Sequence, residues 1–158
     1  MTGVRVRFVD TYVLRSAGDG LEVLVLRRGA AGRCPESWET VHGTIEPGET
    51  PVQASLRELR EETGLVPTRL YNVSRVELFY RHQQDEVALI PVFAALVGED
   101  AEAKLSPEHD RAEWLPAAAA AARFAWPRER RALEDIVRLI GAGGAGDGGL
   151  LDDVLRVC

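Results

Sequence analysis

Between Gly43 and Leu65 the chain carries one helix with a marked start, a marked stop and a charge problem. Thr50 can cap the N-terminus, Pro51 suits the first helical position because its missing N–H has no intrahelical partner there, and Gln53 completes a capping box with Thr50. Gly64 supplies the left-handed stop. The spacing predicts a helix from about Pro51 to Thr63. At about 100° per residue, Glu58, Glu61 and Glu62 fall within one arc of about 100°, and Val52, Leu56 and Leu59 occupy another. One face is core and the other is acidic. Three carboxylates in one arc repel each other and weaken an isolated helix. Either water solvates that face, the ordinary reading of an E-L-R-E-E helix, or something positive sits on it. Hard oxygen ligands of this kind suit Mg²⁺ or Mn²⁺, which keep several waters and bridge carboxylates to substrate phosphates.

The rest of the composition sharpens that choice. The formal charge of −6 argues against nucleic acid as a partner, and it means that a phosphate ligand must be approached with metal help. At 158 residues with 46% hydrophobic content the chain suits one domain with a proper core. Lys104 is the one lysine among 19 cationic residues, which leaves little room for Schiff-base chemistry. Cys34 and Cys158 build neither a disulfide framework nor a zinc knuckle. The start has no apolar leader, and no stretch approaches 18 apolar residues, so the expectation is a cytoplasmic protein with no membrane partner.

Along the chain, residues 4–15 and 21–28 predict a hairpin, 38–45 a short strand, 69–81 and 86–97 two long strands, and 112–115 another. Pro91 implies an edge or a bulge in its strand. Helices are expected at 117–122 and 127–140, the second with Leu133, Ile136, Val137 and Ile140 at helical spacing. After Ile140 the run GAGGAGDGG reads as a linker, followed by LLDDVLRVC as a short amphipathic helix or a frayed tail. The organisation expected is therefore a domain over 1–140 and a linker with tail over 141–158. Strands, helix, strands and two helices favour an α/β fold with a mixed sheet between helical layers.

The acidic segment resembles the Nudix hydrolases, whose box is G-x5-E-x7-R-E-U-x-E-E-x-G-U with U aliphatic. Gly43, Glu49, Arg57, Glu58, Leu59, Glu61, Glu62, Gly64 and Leu65 match it throughout. The likeness extends over roughly residues 5–140, through Leu24-Val-Leu-Arg-Arg28, Trp38 and Glu108-His109 ahead of Trp114-Leu115. One departure is Val41-His42-Gly43, where many members carry Pro-Gly-Gly.

The resemblance implies the α/β/α Nudix sandwich and hydrolysis of a nucleoside diphosphate linked to another group, by attack of water on phosphorus with Mg²⁺ or Mn²⁺. Glu58 and Glu62 would be metal ligands, with Glu61 a ligand or proton acceptor, the Gly43 carbonyl a further ligand, and Glu108 a further carboxylate acting as base or ligand; the general base would be Glu58, Glu61 or Glu108. Arg57 would hold Glu49. Substrate contacts would come from Arg28 on a phosphate, Trp38 stacking on a base or packing below the box, and His42 on a phosphate or in a structural role. Phe79, Tyr80 and His82 would serve as pocket wall or core.

The strings Trp38-Glu-Thr-Val-His-Gly43 and Glu113-Trp-Leu-Pro-Ala-Ala118, with Trp126-Pro-Arg-Glu129, look like the branch of small bacterial dATP or dihydroneopterin triphosphate pyrophosphatases. That branch implies a small-molecule nucleotide-type substrate cleaved to monophosphate and pyrophosphate. The alternatives are another nucleoside diphosphate-linked substrate, such as a dinucleoside polyphosphate or a nucleotide sugar, and a non-catalytic ligand-sensing module. Members are often dimers, so a homodimer is an expectation for which the sequence specifies no interface.

Overall fold

The computed structural model describes residues 1–18, 20–141 and 155–158. Eight strands form one mixed sheet: β1 (Gly3–Val6), β2 (Phe8–Ala17), β3 (Gly20–Arg28), β4 (Trp38–Glu39), β5 (Val41–Thr44), β6 (Arg69–Arg81), β7 (Glu86–Leu96) and β8 (His109–Pro116). Among the described residues three helices accompany them: α1 (Pro51–Thr63), α2 (Ala117–Arg123) and α3 (Pro127–Gly141). No helix among the described residues is long and apolar enough to cross a membrane.

Helix α1 has the boundaries that its caps dictate. The Thr50 hydroxyl accepts from the Gln53 amide, the Gln53 side chain accepts from the Thr50 amide, and Gly64 closes the helix at φ 69° with its N–H on the Arg60 carbonyl. Its apolar side buries Ala54 and Leu59 with Val9, Val13, Leu24, Leu26 and Phe93 of the sheet. The opposite sheet face packs Tyr12, Leu14, Val25 and Val92 against Phe124, Leu133 and Ile136 from the α2–α3 side. This is the α/β/α sandwich expected, with α1 on one face and α2 and α3 on the other.

Three differences from the sequence reading have physical causes. The first expected strand breaks after Val6, because β1 pairs in parallel with residues 86–89 of β7 while β2 pairs in parallel with residues 92–96 of the same strand. Pro91 stands where the ladder passes from one partner to the other, and the bulge it implied lies in the facing strand between Asn72 and Val76, where Ser74 has φ 56°. The strand expected over 38–45 breaks at Thr40, because β4 pairs with β3 and β5 pairs with β2. The glycine-rich run from residue 142 and the first residues of the tail lie outside the described residues. The last four do not form a helix: Leu155 and Cys158 accept from the Asn72 and Leu70 amides, and Val157 donates to Leu70, so they extend the sheet along β6.

Candidate active site

Strand alternation sets the site. Asp10 faces His42 and Val9 faces Gly43 across β2 and β5, so Gly43 looks toward α1 and His42 looks the other way. Gly43 lies so close under Glu58 that a Cβ built on it would come within 1.9 Å of the Glu58 carboxyl carbon. The missing side chain is the space that the carboxylate occupies. One turn on, Glu62 is 3% exposed, and its Oε2 has no hydrogen-bond partner.

Burial is the main cause that pushes the Glu62 carboxyl up to about 9, and the neighbouring Glu58, Glu39 and Glu108 add to it while Arg28 opposes. Glu58 is raised as well, again first by burial, with Arg57 opposing and Glu61 and Glu108 adding. Two carboxyls held among like charges in a dry place are short of positive charge.

Arg57 supplies part of it. Its Nε and Nη2 donate to the two oxygens of Glu49, both at 2.9 Å, and Nη2 also donates to the Thr44 carbonyl at 2.8 Å. Its Nη1 lies 2.9 Å from Glu58 and 3.1 Å from Glu61. The fork therefore ties the Thr44 and Glu49 ends of the loop to the helix, the position expected of it, and it reaches two of the three arc carboxylates as well. Glu49 is held below the usual carboxylate range, first by the Arg57 hydrogen bonds. A lysine could not make this fork. Arg57→Lys is expected to lower kcat about 10- to 100-fold with little change in melting temperature, and steady-state kinetics beside a thermal melt would check both.

Glu108 arrives from across the chain. The Ser106 amide donates to the Glu62 carbonyl and the Lys104 amide to that of Thr63, which lays the loop before β8 along the end of α1. The Glu108 carbonyl accepts from the Gly29 amide, and its side chain stays exposed, close enough for its charge to bear on both Glu58 and Glu62. Glu61 is exposed beside Arg57.

Of the residues expected to touch substrate, Arg28 borders the acidic group: its Nη1 donates to Glu39 at 2.7 Å, its Nε is buried without a partner, and its charge bears on Glu62. Trp38 packs against the core on the α2–α3 side under the Arg123 guanidinium, at 4.7 Å, which is the packing alternative. His42 sits on the far sheet face, 2.6 Å from Asp10 and beside the Phe8 ring, away from the arc. Phe79 stacks on Phe8, and Tyr80 is exposed with its hydroxyl on Asp85.

The sequence reading missed two groups. Buried Glu39 accepts from Arg28 and lies 3.1 Å from His109 Nε2, itself buried. Counting back from Gly43 by twos, through Val41, could have found Glu39. On the other sheet face, Asp10, Tyr12, Arg128 and Glu129 gather, each with a buried atom that makes no hydrogen bond, Arg128 Nη2 lying 3.5 Å from Asp10 Oδ2. Their polar types at 10 and 129, inside an apolar strand and an amphipathic helix, were the available signal.

Among the described residues no three His, Cys, Asp or Glu side chains form a ready metal cage. The donors that are present nevertheless suit a hard cation: all are carboxylate oxygens, one of them buried without a hydrogen-bond partner, and the missing Gly43 side chain leaves the Glu58 carboxylate room against the strand.

Residues 5–136 match the NUDIX domain model. A stretch of 119 residues is 37% identical to an octanoyltransferase of Myxococcus xanthus, covering 69% of this chain and 30% of that protein. Over 80 residues the chain is 35% identical to the asymmetrical bis(5'-nucleosyl)-tetraphosphatase of Mus musculus, covering 49% of this chain and 54% of that one. The chain thus spans about half or less of the curated relatives it matches. Among solved structures, the C. elegans Ap4A hydrolase binary complex superposes with TM-score 0.73 at 19% identity, covering 87% and 99% of the two chains. The E. coli dihydroneopterin triphosphate pyrophosphohydrolase gives TM-score 0.65 at 27% identity, covering 87% and 98%.

Proposed function

The chain belongs to the NUDIX family, and from that premise we propose that it is a divalent-metal-dependent hydrolase of phosphoanhydride bonds in nucleotide-type substrates, acting in the cytoplasm. The observation that carries this reading is Glu58 packed over Gly43 with Glu62 one turn on, two carboxyls raised by burial, the second with a buried oxygen that makes no hydrogen bond. Glu58, Glu62 and the Gly43 carbonyl would hold Mg²⁺ or Mn²⁺, with Glu61 and Glu108 completing the set. When bound, the cation would neutralise phosphoryl oxygens and favour attack by water.

The chain's own groups divide the remaining work. Arg57 fixes the loop that carries Glu49 and keeps Glu58 and Glu61 turned toward one another. Arg28, braced by Glu39, provides a fixed cation at the edge of the acidic group for a substrate phosphate. Of Glu58, Glu61 and Glu108, the three carboxylates in the family's motif positions that could take the water proton, Glu108 is favoured, because Glu58 is engaged over Gly43 and Glu61 is held by Arg57, whereas Glu108 is an exposed carboxylate whose charge bears on both Glu58 and Glu62. Glu108→Gln is expected to lower kcat about 10²- to 10⁴-fold. An unchanged rate would take Glu108 out of that role.

The substrate reading rests on sequence likeness. The strings around Trp38 and Trp114 favour cleavage of a triphosphate of the dATP or dihydroneopterin type to monophosphate and pyrophosphate. The mouse relative favours a dinucleoside tetraphosphate. Phosphate and pyrophosphate release from dATP, dihydroneopterin triphosphate, diadenosine tetraphosphate and nucleotide sugars, each with Mg²⁺ or Mn²⁺, separates the two. Metal-dependent turnover of one class is the expected result. A folded protein that turns over none of them would favour the ligand-sensing alternative.

A further inference from the structure

Beyond α1 the sheet continues into an uncharged, uncovered face. In the ladder, Val4 stands opposite Val87 and Val6 opposite Leu89 on one side of β7, while Tyr80 stands opposite Val87 and Leu78 opposite Leu89 on the other. Cross-strand partners point to the same side of a sheet, so these six side chains form an apolar grid two deep and three wide. Val76 opposite Pro91 extends it by one row. An antiparallel sheet that turns one side to water normally alternates apolar inward and polar outward. Here the opposite face also buries apolar side chains, with Ala88 and Ile90 at 0% exposure beside Phe8, among charged neighbours such as Arg5 and Glu77. The grid is therefore a second apolar face on strands that already have a core.

We propose that this face is where two copies of the chain associate, back to back across a two-fold axis. Val4, Val6, Val76, Leu78 and Tyr80 are between 52 and 64% exposed. With residue areas on the order of 150–250 Å², they present about 500 Å² of contiguous apolar surface. That is near the largest patch usual for a monomer, roughly 300–600 Å². Two such faces, with the half-covered Val87, Leu89 and Pro91 between them, would remove a little over 1,000 Å² from water, about the lower bound of a specific interface.

Charge selects the occupant. Two copies of a chain with formal charge −6 repel each other over most approaches, and the grid carries no charge on either copy. The charge at its edge, Asp85, already accepts from the Tyr80 hydroxyl, so the grid itself offers no ion to a charged partner, whereas a second grid matches it in size and polarity. In a two-fold pairing each substitution enters the interface twice.

The test is the mass of the full chain in solution by sedimentation equilibrium over a concentration series. A dimer with a dissociation constant on the order of micromolar is expected. Leu78→Lys and, separately, Val6→Lys should each weaken it at least about 30-fold, while Val66→Lys, exposed but off the grid, should leave it unchanged. Circular dichroism of each variant confirms that the exposed substitutions leave the fold intact. A wild-type chain that stays monomeric at hundreds of micromolar overturns the proposal, as does a dimer indifferent to both grid variants. A monomer that floats with phosphatidylcholine vesicles, and loses this with Leu78→Lys, overturns it in favour of a lipid surface.

Discussion

Gly43→Ala is expected to abolish most hydrolysis while leaving the protein folded. The added methyl would lie 1.9 Å from the Glu58 carboxyl carbon and 2.2 Å from its Cγ and Oε1, so the glutamate side chain must leave its place. No backbone atom is among those contacts, and the far end of a glutamate can swing aside at low cost. Alanine is also no worse than glycine in an extended strand. The whole penalty thus falls on the position of one carboxylate. A loss on the order of 10²- to 10³-fold in kcat/KM is expected, comparable with removal of one preorganised group from an active site, with a melting temperature within a few degrees of wild type. Turnover near the wild-type rate would remove Glu58 from the chemistry, and a protein that fails to fold would show that Gly43 serves packing.

The second large effect joins stability, pH and metal. Glu62 has its carboxyl pushed up to about 9 from an ordinary value of 4.5. The folded protein keeps a proton there that the unfolded chain has already released. Stability from this group is therefore highest at low pH, falls as the pH rises past about 4.5, and levels off only above about 9. Within that window one proton can contribute a slope of up to about 1.4 kcal/mol per pH unit, or about 3–6 °C in melting temperature for a chain of this size.

A divalent cation bound by the ionised carboxylate would reverse the sign, so Mg²⁺ or Mn²⁺ should raise the melting temperature more at pH 8.5 than at pH 5.5. Glu62→Gln should flatten the metal-free decline, cancel the gain from metal, and lower turnover on the order of 10³-fold or more. Glu129, also raised by burial, adds a decline of the same sign that metal does not touch. The difference between wild type and variant reports Glu62 together with its influence on the neighbouring Glu58, and leaves Glu129 out. Equal melting curves for the two proteins, with and without Mn²⁺, would remove Glu62 from any metal site.

The grid on β1, β6 and β7 bears on how such experiments are set up. A chain that pairs through that face has a melting temperature that depends on protein concentration. Titrations of metal and pH are comparable only at one concentration, or in the Leu78→Lys background.

Much of this was legible in the chain because the signals are local. The start and stop of α1 are read from Thr50, Pro51, Gln53 and Gly64, whose hydrogen bonds close within four residues, and the structure has the same boundaries. The acidic arc follows from 100° per residue and needs no partner. The Arg57–Glu49 pair spans eight positions along one loop and helix.

What only the tertiary structure decided involves residues far apart in the chain. Glu39 and His109, 70 positions apart, meet because β3 pairs with β4 on one edge and β8 on the other. Glu108 reaches Glu62 because the loop before β8 hydrogen-bonds the end of α1. His42 was a phosphate candidate beside Gly43 in sequence, yet a strand turns neighbours to opposite faces, and pairing with Asp10 put it on the side away from the arc. The expected first strand became two, and the last four residues a sheet extension, because β7 and β6 had edges to fill. Caps and helical periodicity are properties of a few adjacent residues and can be read from them. Which strand edges meet depends on the free energy of the whole core, and no local stretch contains it.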